Sequence, residues 1–237
     1  MSNKKLSYFE VKRPVSRFLS WALGFFLLFQ GIVELGDFVG LARVSSGPLV
    51  YGLSRITQSG VGHFLLSLVT TGLLVSIYEC FRRSLFKAKS VISYLVLALM
   101  TLMVCDFLVG LSTAGSTDIM QQFQSPTRFD SFAVRFKNTS AAFQSILALI
   151  MSIALVVKYR GRIALYGWVN IASMIISGLG VGSLYMFLMN HNVDFLNRGL
   201  SLAWTAFRYV IEILPVVFMR RTLIYKQIRD ADERGDI

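Results

Sequence analysis

The stretch RFLSWALGFFLLFQGIVEL, residues 17–35, decides what kind of protein this is. Its two ionisable side chains, Arg17 and Glu34, stand at its ends, and nearly everything between them is apolar. A helix of about 20 such residues crosses a hydrocarbon core of about 30 Å. The run is too long for a signal-peptide core of roughly 7–15 residues, and it lacks a convincing small-x-small cleavage site. It is therefore read as a retained first membrane span, preceded by Lys4, Lys5, Lys12 and Arg13.

Composition says the same of the whole chain. Of 237 residues, 54% are apolar and 16% charged, against roughly 25% charged in soluble domains. That surplus of apolar surface requires lipid. Five more long apolar runs follow, at about 61–81, 91–112, 141–157, 163–189 and 200–219. The expected fold is all-α: a polytopic bundle of six transmembrane helices over residues 17–221. A basic segment (1–16) precedes it and a short tail (222–237) follows, too small to bury a core of its own. Outer loops are expected at about 36–60, 113–140 and 190–199.

The charges orient the bundle. Lys and Arg flanking the spans divide 17 to 6 between the two sides, and Arg208 alone lies within a span. The rich side holds the N-terminus, the 82–90 and 158–162 connections and the C-terminus. By the positive-inside rule both termini are cytoplasmic (N-in/C-in), and the alternation requires an even number of spans. A plasma membrane, of the bacterial inner-membrane type, is expected. The net charge of +11 does not point to nucleic acid, because the cations sit in clusters at span ends and not along one face. Cys80 and Cys105 fall near opposite membrane faces, beyond disulfide reach.

Ionisable residues within spans are costly, by about 2.5–3.5 kcal/mol at mid-helix, and normally face the bundle interior. Glu34, Glu79, Asp106, Arg208 and Glu212 are in this class. Glu79 lies beside Arg82 and Arg83 and reads as an interfacial salt bridge. The other four, with His63, fall in the outer half of the bundle. Gln30, Glu34 and Asp37 share a helical face, as do His63, Ser67 and Thr70 or Thr71, and Asn170, Ser173 and Ser177. Two readings stay open: an outward-facing polar cavity for an ion or small polar solute, or inter-helix pairs that fix packing, with Arg208 neutralising Asp106 or Glu212.

Three local patterns complete the reading. Ser125-Pro126 resembles a helix start, after which Phe129, Phe132 and Phe136 share a face. That segment is an interfacial helix, a cover over the bundle mouth, or an extension of span four. Gly178 and Gly182 form a GxxxG, read as close helix packing or as a bend exposing backbone. Gly36 and Gly40 repeat the motif within the expected outer loop.

No HExxH, nucleophile elbow, P-loop or dinucleotide fingerprint occurs, and His63 and His191 do not make a His-rich site. No catalytic residues, metal or cofactor are expected, and an enzyme is the third-ranked reading. The first is a transporter or membrane subunit of a transport system, using Glu34, Asp106, Arg208, Glu212 and His63 for solute binding or proton relay. The second is a non-catalytic interaction protein such as an assembly factor, an immunity or exclusion protein, or a sensor-like protein. It would contact a partner through outer loops at Phe129, Phe132 and Phe136. Expected partners are membrane lipids and other membrane subunits.

Overall fold

Where the apolar runs stop, turn chemistry takes over. The computed structural model describes residues 6–42, 52, 56–57, 59–114, 128–180 and 198–225. Among them are six long helices: α1 (Arg13–Ala42), α2 (Gly60–Lys87), α3 (Ile92–Ala114), α4 (Arg128–Lys158), α5 (Gly161–Ile175) and α6 (Arg198–Arg221). A π-helical turn, Ile176–Gly180, continues α5. Five of the helices, all but α5, are long and apolar enough to cross a membrane. The chain is a helical, multi-pass integral membrane protein.

Short connections make tight hairpins. After α2, Lys89 takes the left-handed conformation (φ 49°). Its N–H donates to the Phe86 carbonyl, and the Ser90 N–H donates to that of Leu85. This doubly bonded stop satisfies two end carbonyls of α2 and turns the chain into α3. Between α4 and α5 the turn is Tyr159-Arg160, followed by Gly161 at φ 60°. A Cβ at Gly161 would press on Ser7 at 2.8 Å, so glycine is needed both for the backbone angle and for the approach of the N-terminal segment.

Each helix packs on its neighbours in sequence, and α6 returns to pack on α1, closing a ring. The end of the ring where the termini meet is sealed. A two-residue strand β1 (Phe9–Glu10) pairs in parallel with β2 (Leu223–Ile224) just beyond α6. The carbonyls of Leu6 and Ser7 accept from the N–H groups of Arg160 and Ile163, which begin α5 and have no partner within the helix. Phe9 is buried and meets the rings of Phe81 and Tyr159 edge-on at 5.9 and 5.6 Å. Phe81 meets Tyr166 at 5.5 Å. Leu19, Ile77, Leu85, Val96, Leu155, Ile163 and Met219 complete this core. Outward, α1 presents Phe18, Trp21, Phe25, Leu28 and Leu35, an exposed apolar stripe suited to lipid.

Several boundaries differ from the sequence reading. Helix α1 starts at Arg13 and continues through Gly36 to Ala42, so the first expected outer loop begins later than residue 36. Gly36 is inside the helix, buried against the side chain of Thr57, which a Cβ would strike. Residues 128–158 form one continuous helix, which selects the extension of span four over a separate interfacial or covering helix. Ser125-Pro126 and residues 181–189 of the expected fifth span lie outside the described residues. So do the side chains of Asp37, His63 and Phe129.

The N-terminal plug gives a stability prediction. Phe9→Ala should cost about 3–5 kcal/mol, the usual range for emptying a buried aromatic site. Leu6→Ala, at a half-exposed position, should stay within about 0.5 kcal/mol of wild type. Thermal melts of the detergent-solubilised chain measure both.

Candidate functional site

Among the described residues, three polar clusters stand between helices of the ring. The first joins α1 and α6, which run antiparallel. Gln30 and Glu34 stand one turn apart on α1, facing Arg208 and Glu212 one turn apart on α6. The Arg208 guanidinium donates to Glu34 at 3.1 Å and lies 3.8 Å from Glu212. The Gln30 amide donates to Glu212 at 2.9 Å. Within its own helix, Arg precedes Glu by four residues, the weaker order for such pairs. The neighbouring helix supplies the nearer carboxylate. Glu34 is buried, its side chain 4% exposed, whereas Arg208 and Glu212 remain 39% and 43% exposed. Beside this ladder the Tyr209 hydroxyl donates to the Leu27 carbonyl at 2.9 Å, and the Tyr209 ring rests 3.7 Å from where a Gly31 Cβ would stand.

The second cluster lies between α3 and α4. The Gln144 amide donates to the Asp106 carboxylate and, at 3.1 Å, to the Ser140 hydroxyl. Asp106 borders a cavity of about 380 Å³ that also touches Ser67 and Thr71 of α2, Phe107 of α3, and Lys137 and Gln144 of α4. The cavity therefore offers a carboxylate, an ammonium, an amide and two hydroxyls between apolar walls. That mixture can take a small zwitterion or a hydrated cation, with Asp106 as the fixed charge and the neutral groups as exchangeable hydrogen-bond partners. At a rise of about 1.5 Å per residue, Asp106 and Gln144 each stand about 21 Å along their helices from the sealed end.

Arg208 lies at nearly the same depth, about 20 Å from the end of α6. Depth alone thus suggests one patch shared by Arg208 and Asp106, and the ring order contradicts it. Helix α3 packs on α2 and α4, whereas α6 packs on α1 and α5. The partner of Arg208 is Glu34, with Glu212 further off, and the partner of Asp106 is Gln144.

The third cluster is structural. The Asn170 amide donates to the Ser152 hydroxyl at 2.7 Å across α4 and α5, both residues buried. One turn earlier, a Cβ at Gly167 would meet the Ser152 carbonyl at 2.8 Å. Close packing occurs at Gly167, which carries no GxxxG. At Gly178 a Cβ would meet no described atom within 4 Å, and the backbone there is the π turn. Gly182, the other half of the GxxxG, lies outside the described residues.

Glu79 bonds Arg82 through both carboxylate oxygens, at 2.6 and 2.8 Å, and Arg83 at 2.7 Å. Phe132 is exposed and Phe136 half-buried, with rings 6.0 Å apart at the far end of α4. Sequence reasoning passed over Gln144 and Lys137. The signal was present, since Lys137, Ser140 and Gln144 follow an i, i+3, i+7 spacing on one helical face.

No protein-family model, curated protein or solved structure matches the chain.

Arg208→Leu removes the cation that faces the buried Glu34 carboxylate, and should destabilise toward the lower end of the about 3–5 kcal/mol typical of a broken buried pair. Adding Glu34→Gln should recover most of that loss. Asp106→Asn, with no partner in common, should add to Arg208→Leu within about 0.5 kcal/mol. Melting the four variants in one detergent checks both statements.

Proposed function

We propose that this chain is a transporter, or the membrane subunit of a transport system, with its solute site at the Asp106 cavity. One observation carries the reading: a polar cavity holding Asp106, Lys137, Gln144, Ser67 and Thr71 stands in the middle of helices otherwise built for lipid. Intramembrane charge is expensive, and here a cavity large enough for a small solute accompanies it. The ladder of Glu34, Arg208 and Glu212 fits a different role, holding α1 to α6.

Six spans with both termini cytoplasmic, in a plasma membrane of the bacterial inner-membrane type, belong to the same proposal. Contacts of the sealed end support it. Phe9 reaches the end of α2 and the α4–α5 turn, Lys158 donates to Ser90 before α3, and β1 pairs with β2 after α6. All of these sit beside the cation-rich flanks. An even number of crossings is what brings those flanks together, with α5 and its continuation as the fifth.

The alternative is an interaction protein, favoured by exposed Phe132 at the end of α4 opposite the sealed core. Thermal shifts of the purified chain with a panel of amino acids, organic acids, sugars and mono- and divalent cations separate the two. The transport reading expects at least one solute to raise the Tm of wild type but of neither Asp106→Asn nor Gln144→Leu. If no solute shifts wild type, while Phe132→Ala releases a co-purifying protein, the interaction reading replaces it.

A further inference from the structure

At the sealed end, beside the start of α1, lies a second polar cavity of about 400 Å³. Arg13, Ser16, Arg17, Ser20 and Trp21 line it from α1, and Tyr225 lines it from beyond β2. We propose that this cavity binds the phosphate headgroup of an anionic phospholipid, with the acyl chains running down the aromatic face of α1. The proposal needs the chain to span a membrane, and is independent of whether the Asp106 cavity takes a solute.

The headgroup end is a concentrated positive site. Arg13 and Arg17 are one helical turn apart on the same face, both are exposed, and neither forms an ion pair among the described residues. Among the described residues, no acidic side chain lines the cavity. Arg220 adds a third cation from α6. Its guanidinium donates to the Ser16 carbonyl at 3.1 Å and to the Ser16 and Ser20 hydroxyls at 3.0 Å each. These bonds fix the floor of the cavity and leave Arg13 and Arg17 to face an incoming anion. Guanidinium pairs suit phosphate because they can engage two oxygens in one plane.

The aromatic side chains decide between a lipid and a free anion. Trp21, Phe25 and Phe29 follow at four-residue intervals from the cavity into the span. Their rings stack in series, at 6.0 Å and then 6.4 Å between centroids. Trp21 is 70% exposed, which for a spanning helix means contact with lipid. A basic pocket with an apolar track below it has the shape of a phospholipid, and basic pockets near helix ends are known headgroup sites. A second basic groove, between Arg162 and Arg221, is smaller at about 220 Å³, and Arg221 already lies over the Phe218 ring.

The test uses the full chain in a neutral detergent, incubated with equimolar dioleoyl phosphatidylglycerol and phosphatidylcholine, with adducts counted by native mass spectrometry. Wild type should retain phosphatidylglycerol over phosphatidylcholine. Arg13→Gln/Arg17→Gln should lose that adduct by at least roughly tenfold, given the contribution of each cation near a headgroup. Lys87→Gln/Lys89→Gln, the same charge change elsewhere on that side, should keep it, and Trp21→Ala/Phe25→Ala should weaken it. Thermal melts establish that each variant is folded. Equal retention of both lipids by wild type overturns the proposal, as does equal loss in the two charge variants. Displacement of the lipid by millimolar inorganic phosphate would make the site one for free anions and overturn the lipid assignment.

Discussion

The contact between α1 and α6 holds the rest of this structure in place. Every other helix pair in the ring is adjacent in sequence, so its association needs only a local turn. The α1–α6 seam joins segments separated by 182 residues at Gln30–Glu212 and 204 at Ser16–Arg220, and its closure carries the largest loop entropy. Within a bilayer, lipid tails are as apolar as leucine, so helices gain little by burying apolar surface against one another. Hydrogen bonds and close backbone approach must do the work. The seam supplies them at three levels: Arg220 with Ser16 and Ser20, Tyr209 with Leu27 beside Gly31, and Gln30 and Glu34 with Glu212 and Arg208. The β1–β2 pair then fastens the end.

Closure makes the two halves of the molecule unlike. The sealed end carries the aromatic core of Phe9, Phe81, Tyr159 and Tyr166, and the start of α5 there is capped by backbone from the N-terminal segment. Farther along the helices the interior turns polar. Most polar side chains there are committed to packing: Arg208 and Glu34 to the seam, Asn170 to Ser152. Glu34 also borders a cavity, of about 580 Å³ between α1 and α6, but its other walls are nearly all apolar, whereas the cavity at Asp106 is shared by three helices and carries Lys137, Gln144, Ser67 and Thr71 as well. A packed closed end and a polar middle are what a solute site between helices requires, and this is why the functional reading rests on Asp106 and not on the more conspicuous Arg208.

Position along each helix was legible from the sequence, and rotation about its axis was not. The ends of apolar runs and a rise of about 1.5 Å per residue place Asp106 and Arg208 at a common depth. Which neighbour each one faces depends on the order of helices in the ring, which hydropathy does not encode. The five long spans, the hairpins at 88–91 and 159–160, and the Glu79–Arg82–Arg83 pair follow from local pattern. The plug formed by residues 6–11 does not, because a two-residue strand leaves no periodicity and its partner is more than 200 residues away. Close approach between helices is hard to read from sequence for a related reason. It depends on what stands opposite, and the tight approach at Gly167, set by Ser152 on α4, carries no spacing motif.

Ring closure is the claim on which these arguments converge, and cysteine cross-linking in native membranes tests it most directly. Cys80 and Cys105 are both free and can be replaced by serine. Gln30→Cys/Glu212→Cys in that background places one thiol on each side of the seam. A short bifunctional thiol reagent should link the two within a single chain, detected as a linked peptide pair in the monomer band, while Gln30→Cys/Gln144→Cys should not link. Absence of the intramolecular link, or its appearance only in dimers, would mean that α1 and α6 do not meet within one chain and that the closed ring is wrong.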